Sequence, residues 1–521
     1  MSLASRAVLA SLLAFLVASC ASVSGPGGEP RFNPRSIESR NSLLPAAFEI
    51  AAGLRDFDER MELYARSIEM LGERGDSDGA TAVVDYLAVL LENRQDEGRE
   101  VSAEHFLILA RANLLVDRPD QTTGALQQVF ELLREISESE RRGPLLLTAA
   151  DIAFAGGEET YGVLQELVSA VLVTEDLPLR IRVLGRVARG YGEQGAGLAA
   201  STLAQQAIPA AESIDNPWLR GVAFSDVAYI FSVAGDQRSQ EQYFRRVLRE
   251  LELGRPAVSP EGAEEGLRAV ENLLLLDAPV DALRVAELLP TGSIRARGIA
   301  AVGLYYGLQD DRPTAFVTFS RAVREASREV NAVEQAEVFR QVAENYLAIE
   351  EAQLAEIQAM SAVDALRGAP EDPRKPALLE ELLPIYGRDG DLSEVDGLVD
   401  LLEEPIHRGE LLAQAVDVTI ELDRRVEAAG YLQRAEASAS ESRELSRELV
   451  VPLVGGLVRL SGIESALQFL QGVDSDSLVA WGLLAAARHH PPDESLSDEG
   501  ELLLDELLAA SRARRVAGVS G

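Results

Sequence analysis

Apolar and polar positions along the chain follow the three-to-four-residue spacing of amphipathic helices over most of its length. Apolar residues recur at i, i+3, i+4 and i+7 in segments of about 12–20 residues, and short stretches with Gly, Pro, Asp or Asn separate them. The pattern predicts an all-α protein over residues 42–521. No apolar run after residue 20 approaches the roughly 20 residues that a membrane-spanning helix needs.

A second, longer period is clearest over residues 180–440. A small residue is followed at +3 by an aromatic residue, at +7 by Gly or an acid, and at +12, +16 and +19 by mostly small or aromatic residues. The copies are Ala188, Tyr191, Gly195, Ala200, Ala204, Ala207; Ala228, Phe231, Gly235, Gln240, Phe244, Val247; Gly303, Tyr306, Asp310, Ala315, Phe319, Ala322; Ala343, Tyr346, Glu350, Ala355, Ala359, Ala362; and Leu383, Tyr386, Gly390, Val395, Val399, Leu402.

This spacing predicts a helical hairpin. The small and aromatic residues lie one turn apart on a first helix, and the Gly or acid ends it, where glycine adopts positive φ without strain. The later positions share one face of a second helix. Leu273 and Thr419 extend the series at the aromatic position, residues 71–87 fit the same spacing, and residues 98–175 fit it poorly.

The repeat resembles the tetratricopeptide repeat in its small, aromatic, turn and second-helix positions, although it lacks that family's early Trp and late Pro in nearly every copy. The resemblance implies an α-solenoid of tetratricopeptide-like hairpins whose first helices line a concave binding face. Residues of about 497–516 are predicted to form a C-terminal capping helix, with acids early and arginines late, as the helix dipole favours.

The first 20 residues have the pattern of a secretory signal. Arg6 precedes an apolar run over residues 7–18, which is followed by the only cysteine of the chain, Cys20. Residues 17–20 resemble the lipobox of bacterial lipoproteins. The resemblance implies that residues 1–19 are cleaved and that Cys20 carries lipid; the alternative is an ordinary signal with a chance cysteine. Residues 20–41, rich in Ser, Gly and Pro, are predicted to be a flexible tether.

The predicted location is therefore the bacterial envelope, with the protein lipid-anchored and facing the periplasm. Ala21 after the cysteine favours the outer membrane, by analogy with enterobacterial sorting. The formal net charge of −36 argues against a nucleic-acid partner, because nucleic-acid binding needs a basic surface. A cationic ligand and a merely solvated acidic surface are both compatible with this charge.

Motifs that would carry chemistry are weak in this sequence. His105, His407 and the pair His489-His490 have no second ligand at metal-binding spacing, so the histidine pair is interpreted as cationic groups at a helix C-terminus. The tetrapeptide over residues 74–77 matches a cell-adhesion motif but falls on a predicted hairpin turn, and residues 389–394 only faintly resemble a calcium loop. We expect no enzyme activity, no catalytic residue, no cofactor and no metal.

The predicted concave face remains as the candidate binding surface. Its candidate residues are Arg182, Arg189, Tyr229, Arg297, Arg340, Glu344 and Asn345. The arginines either form a local basic groove or simply pair with neighbouring acids on the helix surface. The predicted function is a scaffold that binds protein or peptide partners at the envelope. The alternative is a periplasmic small-molecule-binding accessory of a solute transporter.

Overall fold

The computed structural model describes residues 42–136, 139–255, 259–369, 372–388 and 395–517. Within these ranges the regular elements are α-helices and one 3₁₀ turn, and there is no strand. The prediction of an all-α protein is confirmed, whereas the proposed signal peptide, Cys20 and the tether lie outside the described residues. The predicted domain boundaries stay predictions.

The helices are numbered α1 to α25 in chain order. Their bounds are Leu43–Ala51, Phe57–Glu73, Ser77–Asp96, Ala103–Leu115, Pro119–Leu133, Ser139–Ala155, Tyr161–Leu172, Leu177–Glu193, Gly197–Glu212, Pro217–Val233, Gln237–Gly254, Pro260–Leu275, Pro279–Leu288, Ser293–Leu308, Arg312–Ala326, Ala332–Ala348, Ala352–Arg367, Lys375–Arg388, Val395–Val399, Pro405–Glu421, Arg425–Glu441, Arg447–Ser461, Ile463–Gln471, Asp476–His489 and Asp498–Val516.

Four of the predicted hairpin turns have the left-handed backbone that the repeat spacing predicts, whereas the turn at Gly390 and the calcium-loop-like residues 389–394 lie outside the described residues. Gly195 and Gly235 have φ of 75° and 76°. Asp310 and Glu350 adopt the same conformation with φ of 62° and 65°, although a side chain makes it unfavourable. The equivalent turns after the Leu273 and Thr419 positions are also left-handed, which confirms that both positions belong to the series.

Small residues bring the two helices of a hairpin close together. The three alanines of α9, at 200, 204 and 207, and the three of α17, at 355, 359 and 362, are fully buried. In α15 the phenylalanine Phe319 is also fully buried, and its ring centroid lies 4.7 Å from that of Tyr346 on α16. The second helix of one hairpin therefore packs on its own first helix and also contacts the first helix of the next hairpin.

Two details differ from the predicted repeat. In α11 the side chain of Tyr243, and not that of Phe244, is buried, and its ring stacks on Phe231 at a centroid distance of 5.6 Å. Helices α4 and α5 also form a regular hairpin, with the left-handed turn at Asp117. The spacing there was hard to recognise because Asn113 occupies the aromatic position.

The helices group into two compact units. The second unit comprises residues 139–154 and 164–443 and contains most of the predicted repeats. In it, the first helices α8, α10, α12, α14, α16, α18 and α20 pack side by side in that order. Each of them except α18 also packs strongly against the helix that follows it. A run of neighbouring hairpins is the arrangement expected of a helical-repeat protein.

The first unit combines the two ends of the described chain, residues 42–136, 155–163 and 444–517. Helix α1 packs against α24 and α25, which lie more than 400 residues further along the sequence. Seven of its nine residues are buried, including Phe48 at 2% exposure, because every residue of the helix except Glu49 is apolar. No described helix is long and apolar enough to cross a membrane.

Candidate binding face of the first helices

The seven residues proposed for a concave face all lie on first helices of the second unit. Arg182 and Arg189 are on α8, Tyr229 is on α10 and Arg297 is on α14. The other three, at positions 340, 344 and 345, are on α16. Because these helices pack side by side, the residues lie along one run of neighbouring helices, which we call the first-helix face.

The arginines of this face are paired with acids. Arg297 on α14 contacts Glu264 on α12 at 2.9 Å. Arg340 lies among three acids, at 2.7 Å from Glu337 and 2.9 Å from Glu381 on α18, and also contacts Glu344. These contacts raise the pKa of Arg340 against the opposing effect of its burial. The pairs join successive hairpins and neutralise the face, so a free basic groove is not formed by these arginines.

The remaining candidates differ in exposure. Arg189 and its i+4 partner Glu193 are well exposed, with 2.7 Å between their side chains. Tyr229 is half-buried, and burial raises the pKa of its hydroxyl while nearby Arg189 lowers it. Asn345 is 7% exposed, and its side-chain amide donates to the backbone carbonyl of Ala300 at 3.4 Å. Asn345 therefore contributes to the packing of α16 on α14.

A partly buried polar network crosses α8, α10 and α12. Arg182 on α8 donates to Glu265 on α12 at 2.6 Å, passing α10. Arg268 on α12 contacts Glu265 and also lies 3.2 Å from Asp226 on α10. The Asn272 amide on α12 donates to Asp226 at 2.7 Å. We call these five residues the α10 network.

Asp226 is the centre of the α10 network. It is 6% exposed, and its burial raises the pKa of the carboxyl, while Arg268 and the Asn272 hydrogen bond lower it. A buried carboxylate is costly unless it is paired and hydrogen-bonded. The network therefore constrains the register in which the second and third of these hairpins meet, because a shift of α12 would leave Asp226 without its partners.

Sequence reasoning identified Arg182 and missed the other members of the network. The signal was present, because Ser225 and Asp226 interrupt an otherwise apolar stretch over residues 221–231. Polar residues at an apolar helix position require partners. The partners come from a helix more than 30 positions away, which the periodicity of α10 alone does not reveal.

Two sequence motifs have structural roles in the first unit. Gly75 of the adhesion-like tetrapeptide is the left-handed turn residue, Asp76 caps α3, and Arg74 donates to the backbone carbonyl of His490 at 3.1 Å. His105 accepts a hydrogen bond from the Ser102 backbone at 2.9 Å through Nδ1. This bond is part of the capping box at the start of α4. The other ring nitrogen of His105 lies 2.6 Å from Asp58 on α2.

His489 differs from its sequence interpretation. Burial, together with Arg459, Arg488 and Arg74, lowers the pKa of His489 to about 4. The imidazole is therefore neutral near pH 7, so the interpretation of this residue as a helix C-terminal cation is wrong. Among the described residues there is no group of three or more His, Cys, Asp or Glu side chains that could hold a metal ion.

Comparison with known proteins does not assign the chain to a family. No family model matches it, and no curated protein matches it. A solved circular tandem repeat protein is 16% identical and covers 88% of this chain and 97% of its own, with a TM-score of 0.23. Ton1535 from Thermococcus onnurineus NA1 is 14% identical, covers 58% of this chain and 97% of its own, and has a TM-score of 0.21.

The APC/C hetero-tetramer Cut9-Hcn1 is 10% identical, with coverage of 87% of this chain and 96% of that chain and a TM-score of 0.21. At TM-scores of 0.21 to 0.23, these likenesses do not establish a shared fold. The helical-repeat architecture of this chain is established by its own hairpins, their left-handed turns and the packing of successive first helices.

Proposed function

We propose that this protein is a helical-repeat scaffold of the bacterial envelope, anchored by lipid on Cys20 and facing the periplasm. Its first-helix face would bind protein or peptide partners. The anchor is supported by the apolar run over residues 7–18 and the lone cysteine behind it. Two acyl chains on one residue hold a protein stably at a bilayer, because each buried CH₂ contributes about 0.8 kcal/mol.

The binding role is supported by one observation above all: seven first helices pack side by side in the second unit. Their exposed residues include ion pairs whose members a partner can exchange for its own charges, such as Arg189 with Glu193 at 45% and 61% side-chain exposure. Exposed pairs contribute about 0–1 kcal/mol to stability, so exchanging them costs the fold little. An extended segment with both signs of charge matches this surface.

The anchor is tested by replacing Cys20 with Ser and fractionating cells. We expect the variant to leave the membrane fraction, since its apolar run alone is too short to span a bilayer. Washing with high salt is the control for charge-mediated attachment, which it would release. Unchanged retention of the Cys20→Ser protein in salt-washed membranes would contradict the lipid anchor.

The binding face is tested by site-specific photocrosslinking in intact envelopes. A photoreactive residue is placed at Arg189 or Glu344 on first helices, and at Leu198 or Val317 on second helices as matched exposed controls. We expect discrete protein adducts from the first-helix positions and not from the controls. Adducts only from Leu198 and Val317, or equal labelling from all four positions, would contradict a binding role for the first-helix face.

A further inference from the structure

A cavity of about 320 Å³ lies between α13, α14 and α15, and it is open on one side. Its volume is at the lower end of the roughly 300–1,000 Å³ typical of small-molecule sites. The lining residues are Glu287, Arg295, Ile299, Arg321, Arg324, Glu325 and Arg328. Four of these seven are arginines and two are glutamates, so the lining has two positive charges in excess.

This local charge is opposite to that of the whole chain, in which acids outnumber basic residues by 85 to 49. A generic surface of this protein would be expected to be negative. The concentration of guanidinium groups in one cavity is therefore unlike the average surface. Guanidinium groups present several donors in a plane and bind phosphate or carboxylate oxygens in pairs.

Most of the cavity arginines are held in place by groups of the protein itself. Arg295 donates to the backbone carbonyl of Leu289 at 2.7 Å and 2.9 Å and lies 3.5 Å from Glu325. Arg328 contacts the same carboxylate at 2.6 Å. Arg321 is paired with Glu287. These contacts fix the positions of three guanidinium groups before any ligand arrives, which reduces the entropy lost on binding.

Arg324 is different from the other three. It is exposed, and its guanidinium makes no ion pair or hydrogen bond with any residue that the structure describes. It lies in the last turn of α15, where a cation also interacts favourably with the helix dipole. A cavity with three fixed cationic groups and one free cationic group has donors to spare for an incoming anion.

We propose that this cavity binds the phosphate group of a small, soluble phosphate monoester. A monoester is close to dianionic near pH 7, which matches the two excess positive charges, whereas the phosphodiester of a typical lipid head group carries one charge. The cavity is also large enough to hold more than the phosphate itself. Ile299, which lines the cavity and is 3% exposed, offers an apolar contact for the organic part.

The site does not depend on the proposed scaffold function, because it lies on second helices α13 and α15 and on the start of α14. Loss of crosslinking on the first-helix face would leave it untouched. Equally, a cavity that binds no anion would leave the first-helix face as proposed. The two hypotheses can therefore fail separately.

The experiment is calorimetric titration of the purified full chain with glycerol 3-phosphate and with inorganic phosphate, at fixed ionic strength. Arg324→Gln is the test variant, and Arg245→Gln is its matched control. Arg245 is an exposed arginine of α11, and both changes remove one positive charge. We expect one saturable site, weakened at least about tenfold by Arg324→Gln and unchanged by Arg245→Gln, with an unchanged thermal unfolding midpoint.

Four outcomes would overturn the proposal. The first is no saturable binding of either phosphate compound at millimolar concentration. The second is equal weakening by Arg324→Gln and Arg245→Gln, which would indicate only general charge attraction. The third is a lower unfolding midpoint for Arg324→Gln without any binding, which would indicate that the arginine serves the dipole of α15 alone. Binding to phosphatidylglycerol vesicles without binding of glycerol 3-phosphate would likewise contradict a soluble monoester as the ligand.

Discussion

The two units of this protein are built from similar helical hairpins, but the ion pairs between their helices span very different distances along the sequence. In the second unit, ion pairs join helices that are near each other in sequence, as Arg297 with Glu264, 33 positions apart. In the first unit, Arg512 pairs with Glu49 across 463 positions. The first kind of contact extends an array one hairpin at a time, whereas the second kind makes the two chain ends depend on each other.

The free energy of loop closure explains why such distant pairing is stable. Closing a loop of 463 residues instead of 33 costs only about 2 kcal/mol more, because the cost grows with the logarithm of length. Burial of one large apolar side chain such as Phe48 contributes about 1.5–3 kcal/mol. Burial of the apolar helix α1 therefore offsets the extra free energy of loop closure. We expect the two units to differ in folding rate and cooperativity more than in stability.

The largest expected effect comes from ending the chain before α25, after residue 497. This removes Leu504 and Leu507, both nearly fully buried, and also Arg514, the partner of buried Asp476. We expect α1 and α24 to lose protection in amide hydrogen exchange, while α8 to α17 keep theirs. Deleting residues 43–51 should give the same result. A uniform loss of protection over both units would contradict this prediction.

Breaking one buried ion pair in each unit should have the next largest effect. Arg268→Leu removes the salt-bridge partner of Asp226 in the second unit. Arg514→Leu removes the nearer of the two arginines at Asp476 in the first unit, where Arg515 remains at 3.9 Å. Arg268→Leu should lower the free energy of unfolding by about 3 kcal/mol, since an unpaired buried charge is costly. Arg514→Leu should cost less, because Arg515 still lies near Asp476. Urea denaturation measures the loss. As controls, Asp226→Leu with Arg268→Leu, and Asp476→Leu with Arg514→Leu, should recover most of it.

The hairpin turns allow a matched comparison of the two units. Gly75 in the first unit and Gly235 in the second both have φ of 76°, and a Cβ at either position would meet no other atom. Replacing either by Ala should cost about 1–2 kcal/mol, purely from backbone strain. Glu350 has a φ of 65°, so Glu350→Gly should remove backbone strain and stabilise the protein by up to about 1 kcal/mol. Unequal costs for the two alanine variants would mean that the pairing of the chain ends in the first unit changes the energetic cost of a strained turn.

Acid should act on the first unit through His489. Because its pKa is lowered to about 4 from an unfolded value of 6.5, the unfolded state binds more protons between these values. Stability is then fully present above about pH 6.5 and falls as the pH is lowered toward 4. The free energy of opening of the helices in this unit, measured by hydrogen exchange, should be lower at pH 5 than at pH 7. His489→Gln should reduce this difference; an unchanged pH dependence would exclude His489 as its source.

The smallest effects are expected at exposed ion pairs. Arg512→Ala in the first unit and Arg297→Ala in the second should each change the free energy of unfolding by less than about 1 kcal/mol, because their pairs are exposed. High salt should reduce even this contribution. A larger loss for Arg512→Ala alone would mean that this pair, and not the apolar contact of α1, closes the first unit.

The sequence was sufficient to predict the helices and most of the hairpins because both depend on local spacing. Gly195, Asp310 and Glu350 were recognised as turn positions, and all three have positive φ. The α4–α5 hairpin was missed because Asn113 stands where an aromatic residue was expected. The packing of α1 on α24 was not predicted, since no periodic signal connects segments that lie over 400 residues apart.

The candidate sites were less accessible to sequence reasoning. The residues of the first-helix face lie on first helices, and their role in binding stays a prediction. Their ion pairs depend on which acid of a neighbouring helix lies opposite each arginine, as Glu381 does for Arg340. The arginine-lined cavity was not predicted, because its residues come from three helices and share no spacing. Asp226 was visible only as a polar residue in an apolar stretch.

The parallel packing of α1 and α25 has a consequence for how the chain can be reconnected. Ser42 donates to Glu501 where both helices begin, and Arg512 donates to Glu49 where α1 ends. The end of α25 thus lies about 15 helical residues, roughly 22 Å, from the start of α1. A short peptide would join them, and a circular permutant could start at an exposed hairpin turn such as Gly235. We therefore expect that a chain with its helices joined in this permuted order could form the same packing of helices.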